Sequence, residues 1–343
     1  MQGRKHSEKD FIAVEDSALT VHTNEPFAGV QQIAILGLGA WGSTLAQLAQ
    51  QRGHLITGWR RPPQGDAQAP QDTSLAAVVS SANLIICALP VKAVQPISEQ
   101  IAAHVSPGTI LLSATKGLVK GTTVGPPQTA AQIWQAALPQ TPVAVLSGPN
   151  LSVEINQGLP AATVVAGQPE ITARAQAILG SPSFRIYTNA DRVGVELGGV
   201  LKNVIAIACG VSDGLGLGTN ARSALITRGL VEMIRVGTHW GGQTATFYGL
   251  SGLGDLLTTC TSALSRNYQV GLSLAKGKAL NQVLKEIVGT AEGVNTAPVL
   301  AAYAAQQNLE IPITQEVCAL LAGEKAPAAA ISNLINRPFK SEI

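Results

Sequence analysis

Gln31-Gln32-Ile33-Ala34-Ile35-Leu36-Gly37-Leu38-Gly39-Ala40-Trp41-Gly42 decides how the rest of the chain is read. Ile33 to Leu36 is an apolar run of strand type, and it ends in Gly37-x-Gly39-x-x-Gly42. A helical pattern follows at once, from Ser43 to about Arg52. A glycine triplet says little by itself in a chain with 35 glycines. Strand before and helix after is the context that gives it meaning. Gly37 permits the tight turn, Gly39 leaves backbone open to a pyrophosphate, and Gly42 lets helix pack closely on strand. The N–H groups and positive dipole end of that helix then face the phosphates. The plainer reading is a glycine turn in a strand–helix unit that binds nothing.

The chain has 343 residues, enough for roughly two domains with large cores. Hydrophobic residues make up 46% and charged residues 13%, the balance of a well-buried globular protein rather than a disordered one. Aromatics are 4%, so the cores must be aliphatic and stacking platforms for nucleic acid are not expected. A net charge of +2 with no Lys/Arg block is too small for a nucleic-acid footprint, but it suits a local basic pocket for an anionic metabolite. Cys87, Cys209, Cys260 and Cys318 are widely spaced and form no CxxC pair. They suggest neither a zinc site nor a disulfide framework, and they fit a reducing cytoplasm. No apolar run approaches the ~18 residues that span a bilayer. Residues 1–28 carry Glu8, Asp10, Glu15 and Asp16, resemble neither a signal nor a transit peptide, and read as a mobile polar extension.

Leu55-Ile56-Thr57-Gly58-Trp59-Arg60-Arg61 reads as a short second strand closed by Pro62-Pro63. In a dinucleotide fold the end of this strand meets the adenosine ribose, where an acidic residue favours NAD. Arg60 and Arg61 stand there instead, and guanidinium groups suit a 2′-phosphate. NADP(H) is therefore the preferred cofactor, with NAD(H) the alternative. The bland reading is a solvated arginine pair at a strand end. Residues 62–72 form a Pro/Gln/Ala-rich loop, and Leu75 to Ser80 a weak helix. Asn83 to Leu89 is a continuous apolar strand of the kind buried on both faces. Val94, Ile97, Ile101 and Val105 repeat at helical spacing. Further strands fall at Thr109–Thr115, Val143–Leu146, Ala162–Ala166 and Phe184–Thr188, with helices at Ala130–Leu138 and Ile171–Leu179. This alternation is the pattern of a doubly wound parallel sheet. It stops near Asn189, and residues 191–335 read as helices at 192–211, 220–239, 253–260, 266–276, 280–287, 296–307, 313–322 and 327–335. The fold class is α/β: an N-terminal doubly wound (Rossmann) parallel-sheet domain, residues 29–190, followed by an all-helical C-terminal substrate domain, residues 191–343.

In open α/β sheets ligands bind at the carboxyl ends of the strands. Arg60-Arg61, Lys116-Gly117 and Ser147-Gly148-Pro149-Asn150 all sit at such ends. Lys116 projects into the cleft, or is a snorkelling loop lysine. On the helix from Arg192, residues Gly194, Gly198, Lys202, Ala206 and Gly210 lie four apart on nearly one face. Gly198-Gly199 in a helix interior costs roughly 1 kcal/mol each against alanine. Close approach of a ligand or of another backbone is the compensation to look for. A lysine half-buried in such a stripe has a lowered pKa and can serve as a general acid, or it is incidental to a tight helix contact. Asp255, in Ser251-Gly252-Leu253-Gly254-Asp255, is an N-terminal cap or a partner for a buried lysine. Ser265-Arg266-Asn267 opens the next helix, as an anion site or as a plain cap.

Taken in order, Gly37-Leu38-Gly39-Ala40-Trp41-Gly42, Ala114-Thr115-Lys116-Gly117-Leu118, Leu146-Ser147-Gly148-Pro149, Glu196-Leu197-Gly198-Gly199-Val200-Leu201-Lys202-Asn203, Asn220-Ala221-Arg222-Ser223, Gly252-Leu253-Gly254-Asp255, Ser265-Arg266-Asn267 and Ala291-Glu292-Gly293 converge on one family. From about Ile33 to Arg337 the chain resembles the bacterial NAD(P)-dependent glycerol-3-phosphate dehydrogenases. The resemblance implies reduction of dihydroxyacetone phosphate to sn-glycerol 3-phosphate for phospholipid synthesis, in the cytoplasm. It implies Lys202 as the catalytic lysine, Lys116 as the lysine touching cofactor and substrate, and Asp255 as the substrate-side carboxylate that orients Lys202. Gly148, Asn150, Ser265, Arg266 and Asn267 match substrate-binding positions, with Arg266 and Asn267 suited to the phosphate. Gly37, Gly39, Ala40, Trp41, Gly42, Arg60, Arg61, Lys116, Ser152, Arg266, Thr290 and Glu292 match cofactor positions. A homodimer through the helical domain is also implied, with a phosphorylated triose as the small-molecule partner and neither nucleic acid nor a membrane span.

The chemistry agrees. Hydride addition to a ketone builds negative charge on oxygen, which an ammonium stabilises and protonates. No metal-ligating cluster stands in the sequence, so lysine takes the electrophile's place. Two departures from the family pattern stand out. The segment between Arg61 and Leu75 is short, which puts one adenine-side contact in doubt, and Ala291 replaces a common valine. Two other readings remain open: a lysine-dependent reductase of 2-hydroxy-acid or ketopantoate type, and a sensor that binds NADP(H) without turnover.

Overall fold

The computed structural model describes residues 29–61, 74–121, 126–338 and 341. The expected N-terminal extension and residues 62–73 of the shortened segment lie outside them. The first part alternates as β1 (Gln32–Leu36), α1 (Ala40–Gln51), β2 (Leu55–Trp59), α2 (Leu75–Ser80), β3 (Leu84–Cys87), α3 (Val91–Ile101) and β4 (Ile110–Ser113). A two-residue hairpin, β5 (Leu118–Val119) and β6 (Gln128–Thr129), leads into α4 (Ala130–Ala137). Then come β7 (Val143–Ser147), α5 (Ser152–Asn156), β8 (Ala161–Ala166), α6 (Pro169–Leu179) and β9 (Phe184–Asn189). The remainder is helical: α7 (Arg192–Gly214), α8 (Gly218–His239), α9 (Thr244–Phe247), a π-type turn at Leu250–Gly254, α10 (Asp255–Thr261), α11 (Arg266–Ala275), α12 (Leu280–Glu286), α13 (Glu292–Gln306), α14 (Pro312–Leu321) and α15 (Pro327–Ile335).

The seven-stranded sheet has the order β2-β1-β3-β4-β7-β8-β9. Strands β3, β4 and β7 are buried at every residue, as apolar strands covered on both faces must be. The chain builds β2 on one side of β1 and β3 on the other, so the order reverses at β1 and opens a crevice at its carboxyl end. Gly37 sits there with φ of 101°. It donates to the Trp59 carbonyl at 2.8 Å, and a Cβ on it would stand 2.8 Å from the Ala88 carbonyl oxygen.

One detail of the expected sheet needs correction. The sheet is not wholly parallel: β8 pairs with β7 antiparallel, and β9 is parallel to β8. An apolar strand buried on both faces carries no record of its direction. Helix α7 is long and apolar enough, by length and composition, to cross a membrane. Its most apolar stretch is 94% buried inside the protein, so the helix is the axis of the second core rather than a span. Helices α5 and α9, five and four residues long, and the hairpin were not anticipated.

Glycines set how closely α7 is approached. A Cβ on Gly210 would stand 2.1 Å from the Tyr268 carbonyl oxygen, and one on Gly271 would stand 2.0 Å from that of Ile207, so α7 and α11 cross backbone to backbone. A Cβ on Gly198 would meet the Ser251 carbonyl oxygen at 2.7 Å. One on Gly199 would meet Ser147 Oγ at 2.3 Å and the Lys116 stem at 3.3 Å. Of the two compensations considered for this glycine pair, the close backbone is the one Gly198 shows, while Gly199 makes room for side chains of the cleft. Gly199→Ala should lower stability by about 1–3 kcal/mol, and adding Ser147→Ala should recover most of it. Gly198→Ala, which faces main chain, should not be recoverable by any side-chain change. Urea unfolding of these three variants beside the wild type would decide.

Glu232 of α8 is 4% exposed and caps α14, accepting from the Ile313 and Thr314 amides and from Thr314 Oγ1. Burial pushes its carboxyl up to about 7 against those three bonds. The folded pKa lies above the ordinary 4.5. Its stabilising contribution is therefore full below that value and is lost as pH rises through about 7. Glu232→Gln keeps an acceptor without the proton, and urea midpoints between these two pH values should fall less steeply for it than for the wild type.

Candidate active site

The glycine turn places the first cluster. Helix α1 starts at Gly39, which carries no side-chain cap, and no acidic residue stands in its first turn. Its leading amides, those of Ala40, Trp41 and Gly42, therefore face the crevice with no acidic side chain in their own turn. Among the described residues, its chain neighbours aside, no atom lies within 4 Å of where a Cβ on Gly39 would stand, whereas one on Gly42 would be 1.9 Å from the Gly37 oxygen. The turn is thus packed on its strand side and open on the other, and this geometry fits a pyrophosphate. Trp41 is half-buried, its ring edge-on to Phe184 at 6.5 Å. Arg60 and Arg61 are exposed just beyond β2.

The second cluster joins both parts of the chain. Lys116 follows β4, and its Nζ donates to Asp255 Oδ2 at 2.7 Å and to the Gly148 carbonyl at 3.3 Å. Lys202, from the middle of α7, donates to Asp255 Oδ1 and to Thr259 Oγ1, each at 2.5 Å. Asp255 is 1% exposed and Lys202 6%. Asp255 opens α10 but makes no cap bond, so it is the lysine partner and not the helix cap. Each ammonium has three N–H groups and uses two among the described residues, leaving one on each. Two ammoniums against one carboxylate leave a net charge of +1 at the end of the sheet. Burial, opposed by the Asp255 carboxylate and reinforced by the Lys116 charge, brings the Lys202 pKa down to about 8.

The remaining residues divide into those that face this cluster and those that brace it. Asn150 donates Nδ2 to Thr163 Oγ1 at 3.0 Å, while its Oδ1 is buried without a partner. Ser152 opens α5 and is half-buried, as is Thr290. Glu292 Oε1 accepts from the Val91 amide at 3.1 Å, its Oε2 is buried without a partner beside Gly117, and burial raises its pKa. Arg266 is exposed, with its guanidinium against Gly289. Ser265 caps α11, accepting from the Tyr268 amide at 3.3 Å. Asn267 is turned inward: it donates to Asn203 Oδ1 and accepts from the Gly293 amide, both at 2.9 Å. Arg266 is therefore the outward cation of that turn, and Asn267 ties α11 to α7 and α13. Thr259 and Asn203 were not picked out from the sequence. The signal for Thr259 was its place four residues after Asp255, which puts both on one face of α10.

Comparison with known proteins identifies the family of the chain. Family models for the N-terminus and the C-terminus of NAD-dependent glycerol-3-phosphate dehydrogenase match residues 66–173 and 191–332. The chain is 58% identical over 313 residues to the glycerol-3-phosphate dehydrogenase [NAD(P)+] of Thermosynechococcus vestitus, covering 91% of this chain and 98% of the relative. To the protein of the same description from Gloeobacter violaceus it is 53% identical, covering 91% and 99%. Its fold superposes on the crystal structure of glycerol-3-phosphate dehydrogenase from Coxiella burnetii with a TM-score of 0.83 at 33% identity, covering 90% of this chain and 99% of that one. With both family models matched and such relatives covered almost end to end, the chain belongs to the NAD(P)-dependent glycerol-3-phosphate dehydrogenases.

Proposed function

We propose that the Lys116–Asp255–Lys202 cluster carries out the family's interconversion of dihydroxyacetone phosphate and sn-glycerol 3-phosphate, with Lys202 as the proton donor. Residues 29–190 serve as the dinucleotide-binding domain and 191–343 as the substrate domain. The observation that carries this reading is the single buried carboxylate held at 2.7 and 2.5 Å between two ammoniums, one from each part of the chain. A nicotinamide cofactor, when bound, supplies the hydride. As the ketone oxygen gains negative charge, the free N–H of Lys202 faces it and transfers its proton, leaving a neutral amine held by Asp255 and Thr259. The charge of Lys116 stabilises the same oxygen or its neighbouring hydroxyl. Arg266 stands as the anchor for the phosphate, so that binding energy far from the reacting carbon orients the ketone. Asn150 Oδ1 accepts from a substrate hydroxyl. In the reverse direction the neutral Lys202 amine takes the alcohol proton.

The cofactor side supports a preference for NADPH. Two exposed guanidiniums follow β2 where an acidic residue would accept from a ribose hydroxyl, and they suit a 2′-phosphate. The product supplies glycerophospholipid assembly in the cytoplasm.

Lys202→Ala should lower NADPH oxidation with dihydroxyacetone phosphate by about 10²–10⁴-fold, the usual worth of a placed general acid. Unchanged turnover would remove Lys202 from the mechanism, and binding of NADPH without any wild-type turnover would favour the sensor reading. Because Lys202 must hold its proton for the reduction, kcat/KM should fall as pH rises through about 8, and that of the reverse reaction should rise across the same range. Arg60→Ala with Arg61→Ala should weaken NADPH by at least about tenfold through lost charge-assisted bonds while leaving NADH within about threefold. Equal losses would show that these arginines do not read the 2′-phosphate.

A further inference from the structure

Glu196, on the amino-terminal half of α7, is a buried carboxylate that the reaction does not use. It is 5% exposed, and its Oε1 accepts from the Ala131 amide of α4 at 2.8 Å. The first amides of a helix have no partner within the helix. Thr129 Oγ1 takes the Gln132 amide, and Glu196 takes that of Ala131. One turn earlier on α7, Arg192 donates to the Val143 carbonyl at 3.1 Å, at the start of β7. One turn later, Gly199 lies against Ser147 and the Lys116 stem. Lys202 follows, about 9 Å along the axis from Glu196 at 1.5 Å per residue. The groups facing the carboxyl are the Ala131 amide, the Thr129 hydroxyl and, more distantly, the Arg192 guanidinium.

We propose that Glu196 is a positioning residue for the reduction, its hydrogen bond to the α4 amide fixing the height of α7 over the strand ends and so the point at which Lys202 Nζ meets the ketone oxygen. The inference rests on Lys202 being the proton donor. Gly199 leaves α7 no side chain with which to brace itself at the cleft, so the brace stands one turn back. The part needed is an acceptor of the right reach rather than a charge. A glutamine supplies one; an aspartate, shorter by one methylene, does not reach; a methionine fills the space and leaves the amide bare.

The test is steady-state kinetics with dihydroxyacetone phosphate, together with NADPH titration by fluorescence, on the wild type and on Glu196→Gln, Glu196→Met, Glu196→Asp and Lys202→Ala. Glu196→Gln should keep kcat within about twofold. Glu196→Met and Glu196→Asp should lose about tenfold or more in kcat, with KM and the NADPH Kd within about threefold, since misplacement by 1 Å can cost 10²-fold. Aspartate keeps the result readable if the methionine variant does not fold. Full kcat in both Met and Asp variants, an equal loss in the Gln variant, or a loss confined to affinity would overturn the inference. Should Lys202→Ala turn over like the wild type, the mechanism falls whatever Glu196 does. Should it fail while Glu196→Met and Glu196→Asp work normally, only the role of Glu196 falls.

Discussion

One carboxylate shared between two ammoniums is the constraint around which this protein is built. Asp255 is almost wholly out of water, and so is Lys202. Charges in that position are costly unless each meets a partner of opposite sign, and removing the shared anion would leave the buried Lys202 facing a second cation with no counter-charge from Asp255. The carboxylate restores only part of what burial takes from Lys202, which is why its pKa falls toward neutrality rather than staying near that of a free lysine. A compact ion cluster thus yields an ammonium that holds its proton less tightly than a free lysine does.

The backbone around the cluster follows from the need to bring these groups together from distant stretches. Lys116 comes from the end of a strand, Lys202 from the middle of a long helix and Asp255 from the start of a short one. Small residues let the pieces approach: Gly198 admits the chain at Ser251, four residues before Asp255, and Gly199 admits Ser147 and Lys116. A run of side-chain amides completes the frame. The Gly293 amide bonds Asn267, Asn267 bonds Asn203, and Asn203 donates to the Gly199 carbonyl at 3.4 Å. The helix that carries Glu292 is thereby joined to the helix that carries Lys202.

Much of this was legible in the sequence, for physical reasons that can be named. The glycine turn, the apolar strands and the long helices have strong periodicity, and their ranges agree with the observed elements to within a few residues. The pairing of Lys202 with Asp255 stood as one of two readings, because a carboxylate after glycines at a helix start serves equally as a cap. The inward turn of Asn267 could not be read, since only the packing of α13 reveals where its amide points. Nor could Thr259, whose hydroxyl is ordinary until Lys202 is placed beside it. The direction of β8 left no trace because burial on both faces erases the alternation that would have betrayed it.

That reversed strand governs where the second half of the chain begins its climb. With β8 running backwards and β9 alongside it, the polypeptide leaves the sheet at the lower edge, level with the first residue of β7, where Arg192 grips Val143. From there α7 must ascend the full height of β7, and it meets Ser147 only at its eighth residue, Gly199. Ten residues of helix, about 15 Å, then act as a measuring rod that lifts Lys202 just above the rim. Had β8 run the other way, the same helix would have set out from the upper edge and carried its ammonium an equal distance out of reach of the other lysine.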